Sequence, residues 1–200
     1  MARKRRNSTA LENMQNDGGY SKKAYEVLDF TYYDTIKLVS TVLTHNFFTV
    51  PLGAAGKTLA DTNLVTARVL PQGQNLKVHN LKMFYIAKEV RVETELLAIY
   101  QVLKNTTISI EIPGKENLGQ WPISEIFGVA SLIQVTPAVA GDYCSQIQPS
   151  YKAIFPLNYA IKIGAVQTFS VKLQHHVAPA AGLDGDSIML GFNGRLKRMS

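Results

Sequence analysis

The residues of this chain that could do chemistry are four histidines, one cysteine, one glycine-lysine loop, one acidic turn and one basic cluster. His175 and His176 are adjacent, and neighbours on a strand point to opposite faces, so they cannot converge on one metal ion. His45 and His79 stand alone in strand-like runs, no His-x-His pair occurs, and no metal site is expected. Cys144 is the only cysteine, which rules out an intrachain disulfide and a thiolate zinc site and suits a reducing compartment. The stretch GAAGKT, Gly53 to Thr58, ends like a phosphate-binding loop. Pro51, however, holds the place of the required first glycine, and no strand-helix-strand unit surrounds it, so an ordinary loop is expected. The Gly-x-Ser-x-Gly elbow of hydrolases is absent. Asp184-Gly185-Asp186 has calcium-ligand chemistry, but a turn fits it better. No catalytic residue, cofactor or small-molecule substrate is therefore expected; the chain reads as non-enzymatic, with a surface for partners.

The basic cluster is Arg3, Lys4, Arg5 and Arg6, with no acid among them. Each can pair with a phosphate and release a counterion, and arginine can do so through two parallel hydrogen bonds. No aromatic residue interleaves them, so base stacking is not expected and any nucleic-acid contact would be sequence-independent. Three roles stay open: a solvated chain start, contact with an anionic partner (packaged nucleic acid or a lipid surface), and docking on a neighbouring subunit. The net charge of +6 and isoelectric point near 9.4 permit an anionic partner without demanding one. No apolar run follows the cluster as in a secretory signal, and no stretch approaches the roughly 20 apolar residues of a membrane span.

These residues must be carried by something. Residues 1–23 are rich in Asn, Ser, Gln, Asp and Gly after the cluster and read as a flexible basic arm. Residues 24–200 read as one domain, large enough to bury a core. From Tyr25 the chain is rich in Val, Ile, Thr, Tyr and Phe, a strand composition that ends near Pro51 and Gly53. In NLKVHNLKMFYIA, Leu76 and Val78 share one parity while Leu81, Met83 and Tyr85 share the other; a β-bulge at His79-Asn80 would place both sets inward. KEVRVETELLAIYQVLKN is the best helix, with Val92, Leu96, Ile99 and Leu103 three or four apart, although its first half also fits a strand. Ile108, Ile110 and Ile112 alternate with polar residues. A short helix over Ser124–Phe127 and a further strand are expected next. Two or three strands then follow with a break near Ile163–Ala165, and Ile188, Leu190 and Phe192 mark the last strand. About eight strands with long, uneven loops and one inserted helix predict an all-β, antiparallel sandwich with Greek-key or jelly-roll connections.

The layout of MARKRR, KTLADTNLVTARVLPQGQNLKVHNLKMFYI, FPLNYAIKIGAVQTFSVKL and GFNGRLKR resembles single jelly-roll capsid proteins of tailless icosahedral viruses, in particular phage coat proteins. That resemblance implies a structural virion protein, made in the host cytoplasm, which assembles with copies of itself and other capsid proteins into an icosahedral shell. Arg3, Lys4, Arg5 and Arg6 would then be inner contacts to packaged nucleic acid, an internal membrane or neighbouring subunits. Tyr20, Tyr25, Tyr32 and Tyr33, close to the arm, suit a subunit interface or the packing of the first strand. The alternative is a β-sandwich that binds a carbohydrate or receptor, as spike and lectin domains do; Trp121 beside Glu116, Asn117 and Gln120 is its one local candidate. A metal-dependent barrel enzyme of cupin type is a third possibility.

Overall fold

A computed structural model describes residues 25–86, 88, 93–115, 118–124, 154–179 and 183–199. Among the described residues the named elements run in the order β1 (Tyr25–Lys37), β2 (Thr44–Phe47), β3 (Gln74–Ile86), α1 (Glu93–Lys104), β4 (Thr106–Glu111), β5 (Gly119–Pro122), β6 (Ile154–Ile163), β7 (Ser170–His175) and β8 (Ser187–Met199). They form two antiparallel four-stranded sheets, ordered β1-β8-β3-β6 and β2-β7-β4-β5. The expected all-β antiparallel sandwich is what the chain adopts. Each strand pairs with its counterpart counted from the other end of the series: β1 with β8, β2 with β7, β3 with β6 and β4 with β5. Among the described strands, β4 and β5 are the one consecutive pair that shares a sheet; the other consecutive pairs lie in different sheets.

Alternation of apolar and polar residues explains the layering. On β3, Leu76, Val78, Leu81, Met83 and Tyr85 are all buried, although Val78 and Leu81 are of opposite parity. The register against both β6 and β8 slips between Val78 and Asn80, as the bulge expectation required. The extra residue, His79, absorbs the change of parity. On the other sheet Ile108 and Ile110 of β4 and Val171 and Leu173 of β7 face the same interior. The rings of Phe48, Phe169 and Phe192 meet there with centroids 5.2 to 5.8 Å apart.

The long first run of strand-forming residues does not form one strand. It divides at Leu38–Leu43 into β1 and β2, which belong to different sheets. Leu38 closes this corner: it is buried, and its amide donates to the carbonyl of Asp186. The described helix begins at Glu93, and residues 89–92 of the ambiguous stretch lie outside the described residues; Ile99, Val102 and Leu103 form the helix's buried side. Asn105 ends it, with its backbone and side-chain nitrogens both donating to the carbonyl of Gln101. The break near Ile163–Ala165 separates β6 from β7 as expected. The short helix at Ser124–Phe127 and its following strand lie outside the described residues apart from Ser124.

The edge of β1 is covered from within the chain. Asn63 bonds Thr31 and Tyr33 through its side chain, and the Thr35 amide donates to the carbonyl of Asp61. The loop carrying TLADTN thus satisfies backbone groups that an edge strand would otherwise present to other chains. Pro156 and Pro122 sit on the edge strands β6 and β5, where a missing N–H is tolerated.

Candidate functional site

Arg3, Lys4, Arg5 and Arg6 lie outside the described residues, as do Cys144, Glu116 and Asn117. The described chain opens at Tyr25, the first residue of β1, which pairs with Met199 at the end of β8.

The lysine of GAAGKT is turned inward. Gly53, Ala55 and Gly56 take left-handed backbone angles (φ 83°, 48° and 75°) that fold the loop back on itself. Lys57 Nζ then donates to the Asp34 carboxylate and to the Thr35 carbonyl, the latter at 2.8 Å. Asp34 is fully buried on the inner side of β1, and its second oxygen accepts the Phe48 amide at 2.5 Å. That bond holds Phe48 at a φ of 59°, a region a bulky residue seldom occupies. Lys57 therefore completes a buried ion pair that shapes a corner of the core, and its charge is committed there.

The histidines divide as their spacing requires but also meet across strands. His175 is buried and His176 exposed, on opposite faces of their segment. His175 packs against His45 of the adjacent strand β2, also buried, with ring centroids 5.5 Å apart in an edge-to-face arrangement. The Thr106 hydroxyl donates to the Val102 carbonyl at 2.6 Å and lies 2.7 Å from His175 Nδ1. With its proton committed, that hydroxyl accepts from Nδ1–H, which leaves Nε2 of His175 as the unprotonated nitrogen. Nε2 of both His45 and His175 is buried without a hydrogen-bond partner among the described residues. Burial, then the neighbouring His45 and His176, pushes His175 down to about 4. Burial also lowers His45, opposed by a hydrogen bond with the Val42 backbone. Among the described residues no group of three or more His, Cys, Asp or Glu side chains could hold a metal ion.

The acidic turn is a structural corner. Asp184 accepts from the amide and hydroxyl of Ser40 at 2.5 and 2.9 Å, and these bonds hold its carboxyl below the usual range. Asp186 is buried, and accepts from Tyr85 Oη and the Lys88 amide. The two carboxylates thus tie down different loops. Trp121 is half-buried: its ring lies edge-to-face with Phe155 at 6.4 Å, packs on the core, and covers Gly119 so closely that a Cβ there would stand 2.2 Å from it. Gln120 donates to Thr107 at 3.0 Å.

The two outer sheet faces differ in charge. On the sheet β2-β7-β4-β5 the outward residues are Thr44, Gln174, Thr107, Ser109 and their neighbours, and its charges Lys172 and Glu111 neutralise each other at 2.7 Å. On the sheet β1-β8-β3-β6 the register sets Lys77 directly opposite Arg195 on one side and Lys162 on the other. Lys197 lies two residues from Arg195, over the ring of Tyr25 at 3.8 Å from its centroid, and Lys82 lies further along β3. Asp29, opposite Arg195, is the one acid that the register places on this face among the described residues. None of these five cations forms an ion pair among the described residues. No single stretch of sequence holds this cluster; three strands from distant parts of the chain assemble it. Its sequence signal is the alternation of Lys or Arg with apolar residues in LKV, IKI and RLK.

No protein-family model and no curated protein matches the sequence.

Proposed function

We propose that this chain is a capsid subunit with a jelly-roll fold, a structural protein of a virion that assembles with copies of itself, and with other capsid proteins, into an icosahedral shell. The observation that carries the proposal is the nested pairing of β1 with β8, β2 with β7, β3 with β6 and β4 with β5 across two sheets. Nested pairing of this kind is what a single antiparallel ribbon rolled upon itself would give, and it supports the jelly-roll reading, a fold that shells, lectins and cupins share. Within that group the exposed loops favour assembly. Val39, Val42 and Leu43 between β1 and β2, and Val177 after β7, are all exposed, and the His175 amide bonds the Leu43 carbonyl, which brings the two loops to one end of the sandwich. Branched apolar side chains gathered at one end are what a subunit contact would bury. The basic segment Arg3 to Arg6 would reach packaged nucleic acid, an internal membrane or a neighbour, and the subunit would have no catalytic step.

A carbohydrate- or receptor-binding role would need a projecting aromatic platform, whereas the ring of Trp121 is engaged with Phe155 and Gly119. Light scattering and electron microscopy of the purified chain over a concentration and salt series test the capsid assignment. Discrete closed particles or capsomers are expected; a chain that stays monomeric at every concentration and salt overturns it.

A further inference from the structure

We propose that the outer face of the sheet β1-β8-β3-β6 is itself a phosphate-binding surface for nucleic acid, centred on Lys77, Lys162, Arg195 and Lys197. This deepens the capsid reading by naming which face of the subunit would meet the packaged strand; it rests on that reading for the setting but not for the binding.

Like charges placed directly opposite each other on neighbouring strands destabilise a sheet. Here three occur in one row, Arg195, Lys77 and Lys162, with neighbouring strands about 4.8 Å apart. All three are exposed, and Lys197 stands beside them. Their tips lie within about one Debye length of each other at physiological salt, so they act as one field. Asp29, the one acid that the register places on this face among the described residues, stands at one end of the row, opposite Arg195. A polyanion would relieve this repulsion, and the other outer face, where Lys172 and Glu111 cancel, offers it nothing comparable.

Nucleic acid fits better than an anionic membrane. The cations are interspersed with Asn75, Asn80 and Asn193, amides suited to phosphate and sugar oxygens. A membrane-binding face needs a cluster of apolar anchors among its charges; of the exposed apolar residues here, Phe84, Ile86 and Ile154 lie toward the far end of the sheet from Lys77, and Val27 stands singly opposite Lys197. Lys197 lies over one face of the Tyr25 ring, and the clustered cations would contact phosphates rather than base edges, so binding would be independent of sequence.

The test is fluorescence anisotropy of a labelled oligothymidylate strand with the full chain over a salt series. The triple variant Lys77→Gln/Lys162→Gln/Arg195→Gln is compared with wild type, both with the native arm and with Arg3, Lys4, Arg5 and Arg6 changed to Ser. Three lost phosphate contacts should lower the log-log salt slope by about two, so that wild type loses about 20-fold more affinity than the variant between roughly 50 and 200 mM salt. The single variant Lys162→Gln, on an edge strand, should lower the slope by about 0.7 and serves if the triple variant folds poorly. Lys172→Gln, on the other face, should leave it unchanged. An unchanged slope in the triple variant, or an equal drop in Lys172→Gln, overturns the proposal. So does retained oligonucleotide binding alongside lost binding to phosphatidylserine vesicles. Particle formation is read separately by light scattering on the same samples. Monomers whose binding falls in the triple variant overturn the capsid assignment and support this surface; particles with an unchanged slope do the reverse.

Discussion

Acid should weaken the native state in a window set by the buried histidine pair. In the unfolded chain His175 takes up a proton near its ordinary value of 6.5; in the folded chain burial and the adjacent His45 and His176 hold it down to about 4. Between these values the unfolded state binds more protons, so stability is fully present above about pH 6.5 and is lost as the pH falls toward 4. At about 1.4 kcal/mol per unit, the drop is worth about 3 kcal/mol, and His45 adds to it in the same direction. The structural cause is specific. The Thr106 hydroxyl engages Nδ1 of His175, so the incoming proton must enter at Nε2, which has no acceptor among the described residues. His45 borders a cleft of about 480 Å³ that Lys37, Lys57 and Asp61 also line. Two of these groups are cations that oppose further charge, and Asp61 is held below the usual carboxylate range by Thr58, so it stays ionised across the window.

The assay is urea unfolding followed through the fluorescence of Trp121 at fixed protein concentration, from pH 7.5 down to 4.5. With an m-value of about 2 kcal/mol/M, the full loss corresponds to a midpoint lower by about 1.5 M. The double variant His45→Leu/His175→Leu should flatten the curve above pH 4.5. What remains should come from the lowered carboxyls of Asp61 and Asp184, which lose their contribution only below their ordinary value of 3.8. A double variant with the same pH dependence as wild type would refute the assignment.

Two further outcomes follow from the packing. Lys57→Met leaves the fully buried Asp34 carboxylate without its cation and should cost about 3–5 kcal/mol in denaturant unfolding; Asp34→Asn in the same chain should restore most of it, and strictly additive losses would show the pair is not coupled. Gly194→Ala would place a Cβ 2.0 Å from the Lys77 carbonyl oxygen, next to the bulge, and should lower stability by about 3 kcal/mol or more. Gly56→Ala, in open space but at a φ of 75°, should cost only about 1 kcal/mol, and equal thermal midpoints for the two would contradict the close approach at Gly194.

What the sequence makes legible here is what depends on neighbours along the chain. Alternation in β4, β7 and β8 identifies those strands, and the parity change at His79-Asn80 locates the bulge, because side-chain direction in a strand is a local property. The division of the first run into β1 and β2 is not legible in this way. Strand-forming residues continue across Leu38–Leu43, and the break is imposed by contacts to Asp186 and Asp184, more than 140 positions away in the chain. The same holds for chemistry. His45 and His175 look isolated in sequence, Lys57 looks like part of a phosphate loop, and Lys77, Lys162 and Arg195 look like ordinary solvated residues of three unrelated strands. Each acquires its meaning from register: β2 against β7 brings the imidazoles together, the corner at Asp34 draws the lysine in, and β3 between β8 and β6 lines up the cations. The charges of Arg3 to Arg6 are consecutive in the chain. A sheet can build an equal concentration of charge from residues 118 positions apart, as with Lys77 and Arg195, and holds it in fixed geometry. A row of fixed cations on a sheet face is therefore as strong a candidate for phosphate contact as a contiguous basic segment, and substituting each set alone separates their contributions.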